Sequence, residues 1–264
     1  MPDELLHRLR RFHEQTFPGI QDRFVELVRQ GQHPHTLFIG CSDSRLVPYL
    51  LTGAGPGDLF IVRNVAAFVP PYDGTHPAAP AQAPAPGSYL GQAPRWCGFH
   101  GTAAAIEFAV LVLQVRHIVV CGHSHCGGIR ALYEGVPPEA INLAAWLELG
   151  REAVLPVQVT PEALRRTEQR AIVLQLERLM GYPMVRQRVE SGQLALHGWH
   201  YMIEDGEVHI CDLRSGRFVP ASQAERSSAM PSPGAEALSS PLFNEIDACY
   251  GIHSSNRVNP GGSA

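Results

Sequence analysis

Two short stretches of the chain carry residue types able to do metal chemistry. They are Cys41-Ser42-Asp43-Ser44-Arg45 and Gly122-His123-Ser124-His125-Cys126-Gly127-Gly128. Together they offer two thiols and an imidazole, the donor set a borderline-soft ion such as zinc takes in tetrahedral geometry. The His-x-x-Cys step places His123 and Cys126 on one tight turn, and Cys41 supplies the third ligand from elsewhere in the chain. Three protein ligands leave one corner for water or substrate, which marks a catalytic rather than a closed structural site. His-x-x-Cys alone is a weak signal, and its position directly after a buried strand strengthens it. A cysteine at such a position is more often a small core residue. Cys97, Cys121, Cys211 and Cys249 are read that way, whereas charged Asp43 and Arg45 set Cys41 apart.

Asp43 could itself take the fourth corner and shut the site. An arginine two residues on can instead grip the carboxylate bidentately and hold it off the metal. Asp43 would then accept a hydrogen bond from zinc-bound water or hydroxide. Other chemistries fail on their motifs. Gly122 to Cys126 begins like the G-x-S-x-G nucleophile elbow, but Cys stands at its fifth position. Neither the zinc deaminase signature nor a G-x-G-x-x-G loop is present. All 21 basic residues are arginine, which removes Schiff-base lysines and the phosphate-loop lysine.

The elements that must position these residues follow a strand, turn, helix, strand rhythm. Thr36–Gly40 is a short apolar strand ending at Cys41, Leu59–Val62 is a second, and His117–Cys121 is a third that feeds the 122–128 turn. Residues 102–114 read as a helix opened by Gly101-Thr102, and Thr160-Pro161 caps a long helix that stops near Gly181-Tyr182-Pro183. Residues 194–203 and 207–213 read as a strand pair joined through Glu204-Asp205-Gly206. This pattern predicts an α/β fold with a central, mostly parallel sheet flanked by helices. In such sheets ligands bind at the carboxyl ends of strands, where both motifs lie.

Three regions are expected: an N-terminal helical arm over 1–30, broken at Pro18-Gly19; a zinc-binding α/β domain over 31–220; and a flexible tail over 221–264 rich in Ser, Pro and Gly. Residues 74–95, dense in Ala and Pro, read as an exposed insertion. With 45% hydrophobic residues a sizeable core can form, and a net charge of −4 argues against nucleic acid as partner. No stretch reaches the roughly 18 apolar residues of a membrane span, and Met1-Pro2-Asp3-Glu4 does not open like a signal peptide. A cytoplasmic location is expected.

CSDSR at 41–45, GDLFIVRN at 57–64, GTAAAIEFAV at 101–110 and HIVVCGHSHCGG at 117–128 resemble, in order, the blocks of the β-class carbonic anhydrases. The resemblance runs from about residue 20 to 220. It implies reversible hydration of carbon dioxide to bicarbonate, with one zinc ion per subunit held by Cys41, His123 and Cys126 beside an Asp43–Arg45 dyad. It implies a substrate-directed backbone N–H at Gly127, a polar gate at Gln32 reached across a dimer interface, and an apolar wall from Phe60, Val65 and Phe108. Many members have Tyr where Phe108 stands. Arg63 matches an arginine of a regulatory bicarbonate site in one subgroup, but that subgroup has Trp where this chain has Phe38, so such regulation is not expected.

The family assembles as dimers or larger oligomers, and amphipathic helices at 4–30 that cannot stand alone in water fit an arm packing on a neighbour. The HSHCG variant and the long tail resemble the cyanobacterial carboxysomal branch, which implies a carboxysome scaffold protein as a partner for the tail. Two rival functions remain at this level. One is a hydrolase of carbonyl sulfide or carbon disulfide on the same fold. The other is a zinc-stabilised scaffold, against which the intact Asp43–Arg45 pair speaks.

Overall fold

The computed structural model describes residues 3–72 and 101–224. The expected 74–95 insertion and the tail beyond residue 224 lie outside the described residues. The arm comprises α1 (Asp3–Arg11) and α2 (Gln21–Gln30), separated by turns that contain Pro18-Gly19. No residue of α1 is buried, and Leu5, Leu6, Leu9 and Phe12 present their apolar surface outward. Arg23 of α2 donates to the Pro56 carbonyl at 3.3 Å, and Leu27 packs on the backbone of Gly57.

Beyond the arm run β1 (Thr36–Cys41), α3 (Pro48–Thr52), β2 (Leu59–Asn64), α4 (Gly101–Glu107), β3 (His117–His123), α5 (Gly127–Glu134) and α6 (Ile141–Leu147). They are followed by α7 (Pro161–Gly181), α8 (Pro183–Glu190), β4 (Ala195–Met202), β5 (Glu207–Asp212) and β6 (Arg217–Pro220). The strands form one sheet in the order β2-β1-β3-β4-β5-β6. The first four are parallel, and β5 and β6 add antiparallel strands at one edge.

Several boundaries differ from the sequence expectation. The second strand continues to Asn64, because Arg63 and Asn64 pair with Gly40 and Cys41. The 102–114 helix keeps α-helical pitch only to Glu107, after which it widens, with Leu113 N–H donating to the Phe108 carbonyl at 3.0 Å. Strand β6, and the helical turns of α3 and α6, had no clear periodic signature.

Central strands buried on both faces read as continuous apolar runs, and β1 and β3 are of this kind. Side chains alternate between faces. Leu37, Ile39, Ile118 and Val120 pack with residues of α4, α7 and α8. Phe38, Val119 and Cys121 pack in a second cluster with Ile129, Leu132 and Leu147 of α5 and α6. The chain leaves β1 for β2 on one side and then crosses to β3 on the other. The carboxyl ends of β1 and β3 are therefore a topological switch point, where neighbouring connections diverge and open a crevice. Cys41 ends β1 and His123 ends β3.

Candidate metal centre

Gly40 pairs with Cys121 in the parallel ladder, so Cys41 comes out of the sheet beside the end of β3. Cys126 then turns back from the 122–126 loop just before α5. One ligand atom from each of Cys41, His123 and Cys126 lies within 4.8 Å of the others, and all three residues are buried. The two sulfurs are 4.0 Å apart. Sulfurs sharing one tetrahedral zinc at about 2.3 Å each lie about 3.8 Å from one another, so the pair is set for a single ion.

Two further observations test the fit. Nδ1 of His123 donates to the Ser124 carbonyl at 2.8 Å, while Nε2 is a buried nitrogen with no hydrogen-bond partner. An orphaned buried acceptor aimed at two sulfurs is what a metal ligand looks like, since such an atom is otherwise costly. The thiols give the second test. The Cys126 thiol is pushed well above its usual range by the hydrogen bond with Cys41 and by burial, while the Cys41 thiol is pulled down, first by Cys126. Two buried thiolates this close repel, and a divalent cation is what allows both to ionise. The donor set fits zinc.

Asp43 and Arg45 form the expected dyad. Arg45 Nε donates to Asp43 Oδ1 at 2.9 Å and Nη2 to Oδ2 at 2.7 Å. This fork holds the Asp43 carboxyl well below the usual carboxylate range. The CSDSR turn is itself braced by a residue whose role the sequence did not show: Arg63 donates from Nε to the Cys41 carbonyl at 3.0 Å and from Nη2 to the Asp43 carbonyl at 2.6 Å. Arg45 Nη2 also reaches the His125 carbonyl at 3.1 Å, joining the two motifs. His125 sits at φ +58°, a left-handed conformation costing a non-glycine residue about 1 kcal/mol. Ser124 Oγ donates to Glu204 Oε2 at 2.6 Å and accepts from Ile203 N–H at 2.9 Å, pinning the loop to the β4–β5 connection.

The carbonic anhydrase family profile matches residues 36–208. The chain belongs to the β-class carbonic anhydrases. It is 33% identical over 213 residues to a carbonic anhydrase of Synechococcus elongatus, covering 78% of this chain and 70% of that one. It is 36% identical over 219 residues to one of Pseudomonas aeruginosa, covering 81% and 89%. Among solved structures, the β-carbonic anhydrase CcaA superposes with a TM-score of 0.70 at 33% identity, covering 83% of this chain and 98% of that one. One of two tetrameric β-carbonic anhydrases of Sordaria macrospora superposes at 0.63 with 27% identity, covering 79% and 95%. β-Carbonic anhydrases are zinc enzymes of carbon dioxide hydration, and hydrolysis of carbonyl sulfide or carbon disulfide is not favoured.

The structure gathers some of the remaining family positions and separates others. Gly127 opens α5 directly after Cys126, and Val65 packs under the first turn of that helix, near Gly128. Phe60 and Phe108 stack on each other with centroids 5.7 Å apart. However, Phe60 pairs with Leu37, four residues before Cys41, which puts it about 13 Å along the strand from the ligand end. Gln32 lies exposed on the loop before β1, at the opposite end of that strand from Cys41. Cys121 and Cys211 are core residues, as expected, with thiols pushed up by burial. Cys97 and Cys249 lie outside the described residues.

Proposed function

We propose that carbon dioxide hydration in this chain is carried by Asp43 and Arg45 acting beside the Cys41, His123 and Cys126 ligands. The observation that carries this reading is the approach of Asp43 Oδ2 to within 3.8 Å of the orphaned Nε2 of His123. Zinc held there supplies Lewis acidity, which lowers the pKa of water to about 7. Asp43 accepts a hydrogen bond from the reacting water and orients its lone pair toward carbon dioxide. Arg45 keeps the carboxylate ionised and would keep it from becoming a further ligand. Gly127, with a free N–H at the start of α5, is placed to donate to a bicarbonate oxygen.

The pocket wall is proposed to come from two copies of the chain. Val65 belongs to the metal-bearing chain. Gln32 before β1, and Phe60 on β2 with Phe108 stacked on it, lie toward the end of the sheet away from Cys41, so they wall the site of a second copy. Phe108 is 42% exposed beside exposed Leu111 and Val112, an apolar patch a neighbour would cover. The arm over 1–30 is proposed to pack on the same neighbour around the 31–220 catalytic domain, in keeping with the tetrameric Sordaria macrospora enzyme. The tail's proposed contact with a carboxysome scaffold falls on residues outside those described. The likeness to cyanobacterial and Pseudomonas enzymes is nearly equal and favours neither setting. Among the described residues no helix is long and apolar enough to cross a membrane.

Stopped-flow measurement of carbon dioxide hydration by the zinc-loaded chain, with carbonyl sulfide turnover run alongside, tests the reading. Hydration dominating in the wild type and lost with the metal supports it; a zinc-loaded chain without hydration activity overturns it.

A further inference from the structure

Two buried ionisable residues stand behind the metal centre with no part in the roles described above. Glu168 on α7 is 4% exposed and His200 on β4 is fully buried. Glu168 Oε2 accepts from His200 Nε2 at 3.0 Å, and Glu168 Oε1 accepts the backbone N–H of Cys126 at 3.1 Å. Phe218 packs edge-on against the imidazole at 6.2 Å.

A helix–sheet contact does not need such a pair. Apolar side chains of similar volume hold a core at least as well, because burying ionisable groups carries a desolvation cost. What an apolar pair could not do is receive the Cys126 N–H. That N–H belongs to the peptide joining His125 to Cys126, and its other end is held as well, since the His125 carbonyl accepts from Arg45. The peptide is therefore clamped from opposite sides, by a guanidinium on the open side and a carboxylate on the buried side. It follows the left-handed His125 at φ +58° and sets the φ of −68° at Cys126. Rotation of this peptide would change ψ at His125 and φ at Cys126, and so redirect the Cα–Cβ bond that carries the Cys126 sulfur toward Cys41.

We propose that Glu168, braced by His200, is a positioning residue for the metal ligand Cys126, holding the His125–Cys126 peptide so that the sulfur stays directed at the ion. The inference rests on the metal centre above and concerns how firmly the ion is held. Groups that orient metal ligands are worth about 10–100-fold in affinity or activity when removed.

The test follows zinc release from the full chain into excess chelator, together with the thiolate-to-metal charge-transfer band of the cobalt-loaded chain. Glu168→Leu removes the acceptor, and zinc release is expected to quicken by about 10–100-fold with a shifted, weakened band. Glu168→Gln keeps an oxygen for the Cys126 N–H and is expected to restore both readouts close to wild type. His200→Phe leaves Glu168 in place but unbraced and is expected to release zinc several-fold faster. A merely structural pair would lower the melting temperature of the metal-free chain and leave release and band alone. Release at the wild-type rate with an unchanged band in Glu168→Leu overturns the proposal. If that variant does not fold, a wild-type rate in His200→Phe overturns it. A wild-type chain that takes up neither zinc nor cobalt overturns the metal centre itself, and this inference with it.

Discussion

The carboxylate of Asp43 stops 3.8 Å short of Nε2 of His123 and is turned instead into the guanidinium of Arg45. The fork occupies both carboxylate oxygens, so turning Asp43 onto an ion would break two charge-assisted hydrogen bonds. Asp43→Ala removes the acceptor while leaving Arg45 able to hold the His125 carbonyl. Hydration is expected to fall by about 10–100-fold with zinc content unchanged. Stopped-flow assay and metal analysis on the same preparation check this; loss of zinc would make the dyad a structural brace.

Cys126 and Cys121 contrast a proposed ligand with a core cysteine. Cys126→Ser replaces a thiolate donor by a hydroxyl that stays protonated, and zinc is expected to fall from one ion per chain to near none, taking activity with it. Cys121 is fully buried with its thiol pushed far up by burial. Cys121→Ala is expected to cost stability while keeping zinc. Metal analysis of both variants decides, and full zinc in Cys126→Ser would remove it from the ligand set.

The contrast shows which parts of the site sequence can disclose. Cys41, His123 and Cys126 were legible because each ends or follows a buried strand whose continuous apolar run marks it as central, and parallel neighbours share their carboxyl ends. Asp43 and Arg45 were legible by adjacency. Arg63, Glu204, Glu168 and His200 were not, because each meets a group distant in the chain, and nothing in a strand or helix period marks which residue meets which. Strand β6 escaped notice for a local reason. It is four residues long and ends in Pro220, which cannot donate to a ladder and is confined to sheet edges. The parallel core was legible and the antiparallel edge only in part.

His117 and His197 meet at 3.1 Å between Nδ1 and Nε2, an arrangement that needs one imidazole to remain an acceptor. Burial, then the neighbouring His117, lowers the His197 pKa from its ordinary 6.5 to about 4. Between those values the unfolded chain binds a proton that the folded chain refuses. Stability is therefore complete above pH 6.5 and declines as the pH falls toward 4. The loss reaches at most about 3 kcal/mol. His197→Gln is expected to flatten this part of the profile, read by urea unfolding at several pH values. A wild-type slope in the variant would assign the decline to other groups.

The proposed sharing of the pocket between two copies makes a prediction no single-chain site could meet. Gln32, Phe60 and Phe108 lie toward the amino-terminal ends of the strands, whereas the ligands lie at the carboxyl ends. Phe60→Ala and Cys126→Ser should therefore disable opposite halves of one composite site. In a symmetric dimer each interface patch serves both subunits. A hybrid of the two variants then holds one site with both defects and one with neither. Random pairing makes half the dimers hybrids, so mixing the two inactive proteins under exchange should restore about a quarter of the wild-type sites. Deleting residues 1–20, which carry the outward-facing Leu5, Leu6, Leu9 and Phe12, should weaken assembly and abolish the rescue. Sedimentation velocity and hydration assays on the mixtures read both effects. A Phe60→Ala variant that keeps full activity, or mixtures that never exceed the sum of their parts, would return the whole pocket to one chain.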